Sequence, residues 1–482
     1  MIGYLEEHFK PCLFVVGILL LILASIMLIP WIFGLFHEDP CTLCFGISVL
    51  ITGFTGLLLL SAYWPDDVTH FSLKTAFFFT ATAWLTLTFF AALPFAFASC
   101  IPDFTSAVLE SVSALTTTGF STFQEFSKTP PSLLIWRGLL QWLGGIGVTI
   151  MALTLFPFLS LGGMQIFATE SNSYEKALPK FSQISTLIVN LYTVLSVICV
   201  LLLWFAGMNF LEAFCYGMGA ISTSGMTMVN GGINHLHNPF IAWILIIFMI
   251  LSASPLLLLG RFFQGAVHMY TKDSQVRTYM AFLLIAFLLI LTSFFLTQHH
   301  ISFFDIRKLF FHTCSMLTTS GFHYYTKHEW HPFIEILFLT LATIGGCTGS
   351  TASGIKIFRF QILYRTLRAH IYKMIMPHGI FLPVYNKKTV TTEAIYAVIT
   401  LTFLYFIHLA LFGGAFVFTG LPITHSFELS INVLSNSGVH FFDLDLTNLA
   451  TSTKWLMSCG MLLGRLEFMT LLILLVPFFW RR

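Results

Sequence analysis

The chain has 482 residues, 57% of them apolar and only 9% charged, with a formal net charge of +2. Soluble domains carry about 25% charged residues, so a water-soluble globule is excluded. The apolar runs are far longer than the roughly ten-residue alternating strands of an outer-membrane barrel, which leaves an all-α polytopic membrane protein without a sizeable soluble module.

The first run, LFVVGILLLILASIMLIPWIF at 13–33, reaches the roughly 20 residues needed to cross a bilayer core. One lysine, Lys10, precedes it, and the run is too long for a secretory leader and lacks a small-residue cleavage pattern, so it reads as a retained helix. Further apolar segments follow at 43–63, 71–98, 132–158, 184–207, 239–260, 278–297, 333–346, 394–418 and 455–479. Ten spans are therefore expected, the eighth interrupted early by small polar residues. Cys41 and Cys44 form a single CxxC with no second pair to complete a zinc site, and they read as packing residues near a helix start. The 17 histidines, His299 and His300 among them, form no tight ligand cluster.

Four polar, glycine-ended heptapeptides punctuate the chain: LTTTGFS (115–121), ISTSGMT (221–227), LTTSGFH (317–323) and LSNSGVH (434–440). Each lies between two apolar segments, so the chain after the second helix repeats four times. The repeats run over 71–158, 181–268, 275–370 and 390–482, behind a two-helix extension at 1–70. Eleven residues before each glycine stand Val108, Phe214, Phe310 and Phe427, and four before stand Leu115, Ile221, Leu317 and Leu434. Those positions share one face of a helix of about three turns. Such a helix is too short to span, and the expectation is a re-entrant loop: a helix running in, then an extended stretch coming back. Ordinary external linkers are the bland alternative.

Irregular backbone at membrane depth is tolerated only where it is buried or lines a cavity. Four such segments meeting at one axis would present carbonyls of 116–119, 222–225, 318–321 and 435–438 as stacked oxygen rings. Carbonyls can replace the water shell of a monovalent cation without a countercharge that would trap it. Glycine leaves no side chain in the lumen, and threonine, serine and asparagine can hydrogen-bond behind the strand.

Charge placement sets orientation. With ten spans, sixteen Lys and Arg residues lie on the side of the termini, seven of them between Lys356 and Lys388, against five opposite: Lys128, Arg307, Lys308, Lys327 and Lys454. The positive-inside rule then puts both termini in the cytoplasm. The other side carries acids, among them Asp39, Asp103, Glu125, Glu212, Asp305, Glu329, Asp443 and Asp445, which would raise the local cation concentration. Glu110 and Glu212 also suit a structural place within the short helices.

The eighth segment is interrupted by ten consecutive small residues, Gly345 to Gly354, in IGGCTGSTASGIK. Glycine costs about 1 kcal/mol per helical position relative to alanine, and hydroxyl side chains offer competing backbone bonds, so an unwound loop is expected. Close packing through small faces accounts for Gly345 and Gly349 but not for the whole run. Arg465 stands half-way along the last span, where a charge is costly and faces protein or water. Pairing within the bundle is the alternative to a place in a pore. Glu467 lies off its helical face and suits a positive residue on another helix. Arg137, near a span's outer end, is explained by snorkelling.

Four repeats with glycine-ended loops resemble the Trk/Ktr/HKT superfamily of potassium transporters, and the extra N-terminal helices and overall length resemble its bacterial TrkH branch. The resemblance covers nearly the whole chain and is weakest over residues 1–70. It implies an all-α fold with two N-terminal transmembrane helices followed by four helix–re-entrant pore loop–helix repeats around a central pore. By that pattern the potassium filter is Thr117, Thr118 and Gly119; Thr223, Ser224 and Gly225; Thr319, Ser320 and Gly321; and Asn436, Ser437 and Gly438. In relatives that prefer sodium the first glycine is often serine, so Gly119 implies potassium. The fourth loop departs most, with Asn436 in place of threonine and Val439 where the first and third loops carry phenylalanine.

The resemblance also places 345–354 beneath the filter as a movable intramembrane gate, with Gly345, Gly346, Gly349, Ser350 and Gly354 as its flexible points. It projects Arg465 into the pore. It implies no enzyme activity and no cofactor, a transported K+ ion, a bacterial inner-membrane location, and a homodimer bound by a cytosolic, nucleotide-binding TrkA-type subunit. The basic stretch 356–388 is then a docking surface, or else serves topology and attraction to membrane lipids. No phosphate-binding glycine fingerprint occurs in the chain, and no nucleic-acid partner is implied. Two rival functions stand beside passive uptake: a secondary potassium transporter coupled to protons or sodium, for which Glu467 is the one carboxylate well within a span, and a non-transporting membrane scaffold or sensor.

Overall fold

A computed structural model describes residues 2–64, 73–123, 126–159, 177–228, 232–233, 238–297, 302–324, 330–386, 388–439 and 446–480. Glu125, Lys176, His299, His300, Lys327, Glu329, Asp443, Asp445, Arg481 and Arg482 lie outside the described residues. The chain opens with two long apolar helices, α1 (Ile2–His37) and α2 (Thr42–Ala62), packed together. The first repeat contains α3 (Leu73–Ala91), a short α4 (Leu93–Phe97), the 12-residue α5 (Phe104–Leu115) and α6 (Pro131–Leu159). The second has α7 (Ala177–Phe205), α8 (Phe210–Ser222), α9 (Pro239–Ser252) and α10 (Leu256–Phe263), with α11 (Val267–Lys272) leading on. The third has α12 (Ser274–Thr297), α13 (Phe303–Leu317), α14 (Pro332–Ile344) and α15 (Ile357–Ile375). After a small antiparallel hairpin of β1 (Val384–Tyr385) and β2 (Lys388–Thr389), the fourth has α16 (Thr392–Phe418), α17 (Ile423–Ser435), α18 (Thr451–Arg465) and α19 (Met469–Leu475).

Among the described residues seven helices are long and apolar enough to cross a membrane, and nine segments are if α9–α10 and α18–α19, each bent by 108°, count as one apiece. The eighth expected span, at 333–346, is a 13-residue helix followed by an irregular loop. The expected unbroken helices over 239–260 and 455–479 are corrected: both turn sharply, at Ala253–Pro255 and Leu466–Phe468.

The four helices that precede the heptapeptides have 12, 13, 15 and 13 residues. At about 1.5 Å per residue they reach roughly 20 Å, short of the roughly 30 Å apolar core. Their starts are chemically fixed. Asp103 caps α5 by accepting from the Ser106 amide at 2.5 Å, and Ser302 and Asp305 form a reciprocal capping box on α13. Glu212 accepts from the Asn209 amide at the start of α8. Asp39 is buried and accepts from the Cys41 amide and from the Ser132 amide and hydroxyl, tying the α1–α2 connection to α6. Four of the acids expected to face the entrance are thus helix caps or ties between elements, because unpaired N–H groups at helix starts are the strongest local demand for a carboxylate.

Packing between repeats is cyclic. The helix that follows each loop packs on the short helix of the next repeat: α6 on α8, α9 on α13, α14 on α17, and α18 back on α5. Lys454 of α18 reinforces the closure, donating to the Ser106 hydroxyl and the Thr447 carbonyl at 2.9 Å each and lying 3.4 Å from Asp103. The four short helices are thereby aimed at one axis.

Candidate functional site: four converging loops and the segment beneath them

Each short helix ends in the same way. The residue two before the glycine, Thr117, Thr223, Thr319 or Asn436, takes a left-handed conformation with φ of 55°, 55°, 54° and 49°. The next amide reaches back to a carbonyl five residues earlier: Thr118 to Ser113, Ser224 to Gly219, Ser320 to Ser315 and Ser437 to Asn432, all at 2.8–3.0 Å. This is a Schellman-type helix end, built in three repeats on a β-branched threonine, a genuine outlier at positive φ, and in the fourth on asparagine, which tolerates it. The residues six before each glycine, Ser113, Gly219, Ser315 and Asn432, supply the accepting carbonyls of this turn.

The glycines, also at positive φ, interlock around the axis. A Cβ added to Gly119 would strike the Ser224 carbonyl oxygen, one on Gly225 that of Ser320, one on Gly321 that of Ser437, and one on Gly438 that of Thr118. The sequence of neighbours runs one to two to three to four and back to one, so the twelve expected filter residues come together in a closed ring of main chain. Several of their side chains bond within or between the loops and their helices. Thr118 and Thr116 share a hydrogen bond of 2.7 Å, Ser320 and Thr318 one of 2.9 Å, and Ser437 donates to Asn432 at 2.6 Å. Asn436 departs from threonine usefully: its amide donates to both Thr118 Oγ1 and the Met461 carbonyl at 2.9 Å, linking the fourth loop to the first.

Beneath the ring, residues 345–356 leave the helix as expected, with Gly345, Gly349 and Gly354 at positive φ. Gly345 and Gly354 lie back to back, and a Cβ on Gly354 would come within 2.9 Å of the Gly345 Cα. Gly346 sits against Ala253 and Ala352, and the Gly349 carbonyl accepts from the Leu256 amide at 2.9 Å. Ser350 stays within the segment, donating to the Cys347 carbonyl at 2.6 Å. The segment reaches upward as well: the Ser353 amide donates to Thr319 Oγ1 at 2.9 Å, and Thr351 Oγ1 to the Ile221 carbonyl at 3.2 Å. Arg465, buried, donates to the Thr351 carbonyl at 3.1 Å, to Ser353 Oγ at 2.5 Å and toward the Gly144 carbonyl at 3.4 Å. One guanidinium therefore joins the first, third and fourth repeats directly below the loops.

A family model described as TrkH, cation transport protein, matches residues 48–482. The chain belongs to the TrkH family. It is 32% identical over 99% of its length to the Trk system potassium uptake protein TrkI of Halomonas elongata, covering 98% of that protein. It is 29% identical over 98% of its length to the Trk system potassium uptake protein TrkH of Escherichia coli K12, covering all of it. The crystal structure of the potassium transporter TrkH from Vibrio parahaemolyticus superposes with a TM-score of 0.90 at 26% identity, covering 98% of this chain and 100% of that one. The fold is thus the all-α polytopic membrane fold of TrkH proteins, and its work is cation transport rather than catalysis.

Within this TrkH chain, three features lay outside the sequence reading or against it. Arg137 does not snorkel: it is 2% exposed and its Nη1 lies 3.4 Å from Glu110 and 3.1 Å from Ser121 Oγ, while Nη2 donates to the Thr227 carbonyl. Two lone opposite charges in apolar helices were the available signal. The break at Ala253–Pro255 was signalled by Pro255, which cannot donate to a helical ladder. The break after Arg465 carries no proline or glycine, and Glu467 and Phe468 are held at φ of 55° and 50° by tertiary contacts. Glu467 does serve another helix, accepting from Lys356 Nζ at 2.9 Å and Arg359 Nη2 at 2.5 Å.

Proposed function

We propose that this protein takes up potassium ions across the bacterial inner membrane, through a filter formed by the carbonyls of the four glycine-ended loops. The observation that carries this reading is the interlock of Gly119, Gly225, Gly321 and Gly438 with carbonyl oxygens of the neighbouring loops. Oxygen ligands from four sides replace a hydration shell, and dipoles rather than carboxylates let the ion leave again. Relatives named as potassium uptake proteins support the choice of ion. The side chains of Thr118, Ser320, Asn436 and Ser437 bond to neighbouring side chains and brace the ring, so Thr117 to Gly119 and their equivalents contribute main chain to the ion.

The segment 345–354 is the gate, and Arg465 is its latch. A cation passing the filter meets a buried positive charge bonded to the gate's own Thr351 and Ser353. Opening requires the guanidinium and the loop to move apart. Both termini are cytoplasmic, the protein works as a homodimer in contact with membrane lipids, and a cytosolic TrkA-type subunit controls the gate from that side. Rubidium and sodium influx into proteoliposomes holding the purified protein tests the reading. Rubidium entry well above sodium entry is expected, and equal entry, or none with the regulator in its permissive state, overturns it.

A further inference from the structure

An extended strand leaving a buried loop has amides with no ladder to satisfy them. Nine residues before each filter glycine, on the face of the short helix turned to that strand, stand Glu110, Tyr216, His312 and Leu429, all at most 1% exposed. Three residues after the glycine stand Thr122, Met228 and Tyr324 in the first three repeats. Glu110 accepts from the Thr122 amide at 2.6 Å and from its hydroxyl at 3.1 Å. His312 accepts from the Tyr324 amide through Nε2 at 3.2 Å, which requires its proton on Nδ1. Tyr216 holds the same place in the second repeat. Two chemically unrelated side chains thus accept from the same main-chain position, and the fourth repeat carries Leu429 there, whose side chain has no acceptor.

The returning strands are also tied sideways. Arg137 joins Ser121 of the first to Thr227 of the second, and the Ile233 amide donates to the His323 carbonyl at 3.0 Å beside a bridge between Gly232 and Tyr324. We infer that the position nine residues before the filter glycine is a brace that fixes the height of the returning strand, making Glu110 and His312 positioning residues for ion selectivity. The inference rests on the reading of the loops as a potassium filter. The braces touch no ion: they hold the carbonyls that do.

His312 offers the discriminating test. Glutamine reaches the Nε2 position and retains an acceptor, asparagine reaches only the Nδ1 position, and leucine is the residue the fourth repeat already carries at this place. Full-length wild type, H312Q, H312N and H312L are reconstituted after size-exclusion chromatography shows folded protein, and rubidium and sodium influx are compared. H312Q should keep the wild-type ratio within about twofold, and H312N and H312L should lower it about tenfold, a loss of about 1.4 kcal/mol in discrimination. If leucine prevents folding, the contrast of glutamine with asparagine decides. Equal ratios in all variants, or an equal loss in H312Q and H312N, overturn the brace while wild-type selectivity leaves the potassium reading standing. Wild type that admits both ions alike overturns the potassium reading and the brace with it.

Discussion

Three threonines and an asparagine held at positive φ, at one register in four repeats, are the residue-level signature of the site. Each such conformation costs of order 1–3 kcal/mol and persists only where the surroundings over-determine it. Here the surroundings are the Schellman bonds and the glycine–carbonyl interlock. Gly119 has the largest φ of the four, 108°, and a Cβ there would also strike the Ser224 carbonyl. G119S should therefore lower the rubidium-to-sodium influx ratio by about tenfold, taking one weakened contact of about 1.4 kcal/mol; an unchanged ratio would remove Gly119 from the filter. The Glu110–Arg137 pair belongs to the same scale. Deleting one partner of a buried pair leaves an uncompensated charge and costs about 3–5 kcal/mol, whereas removing both is far milder. R137L should lower the melting temperature of the purified protein markedly, and E110Q/R137L should recover most of that loss. Additive losses would show that the two side chains act independently.

At the scale of elements, the helices following the second, third and fourth loops all break below the filter, and only α6 runs straight through. The three breaks are bonded to one another. The Cys347 amide donates to the Ala253 carbonyl at 3.0 Å, Arg465 holds Thr351 and Ser353, and Glu467 receives Lys356 and Arg359 just after the segment. The loop is therefore bonded to Arg465 at Thr351 and Ser353, and the residues just after it to Glu467; by the proposed function these contacts latch it. R465A and E467Q should each raise rubidium influx in the absence of any regulator, R465A more, since it also removes the positive charge. Reduced or equal influx in folded protein would reject a latch. Thr319 adds a control internal to the filter, because its hydroxyl accepts from Ser353 while the equivalent Thr117 hydroxyl has no hydrogen-bond partner. T319V should raise influx and T117V should not, and matching effects would break the link between filter and gate.

These elements also show what the amino-acid order discloses. The short helices, the loops and the small-residue run are local patterns, so length, glycine position and hydropathy suffice to find them. Pro255 marks its break by missing an N–H. The turn after Arg465 and the burial of Arg137 are set by partners more than a hundred residues away (Lys356 and Arg359) or in another repeat (Thr227), and a single chain read in order carries no sign of them. Asp39, Asp103 and Asp305 add a related point: that a carboxylate caps a helix or ties two elements shows only once the helix start is located to the residue.

For the whole molecule, closure through Lys454 and α5 makes four unequal repeats into one ring, and the basic stretch follows the small-residue segment beneath it. That stretch holds seven positive residues from Lys356 to Lys388, and the fold divides their duties. Lys356 and Arg359 are committed inward to Glu467, and Arg365 donates to Ser274 Oγ at 2.9 Å and to the Val384 carbonyl. Arg368 and Lys373 are exposed on α15, which runs on directly from the gate. A cytosolic regulator gripping that helix would pull on residues 345–356 without an intermediary, which is the shortest mechanical route from the cytoplasm to the latch. Exposed charges of this kind act mainly on association rate and salt dependence. R368Q/K373Q should then weaken binding of the TrkA-type subunit by about tenfold at low salt, converge with wild type at high salt, and leave regulator-free rubidium influx unchanged. R359Q should do the reverse, raising regulator-free influx while binding the subunit normally. Binding isotherms and influx measured on the same reconstituted samples separate the two, and a loss of binding shared equally by both variants would mean that the stretch acts as one undivided charged surface.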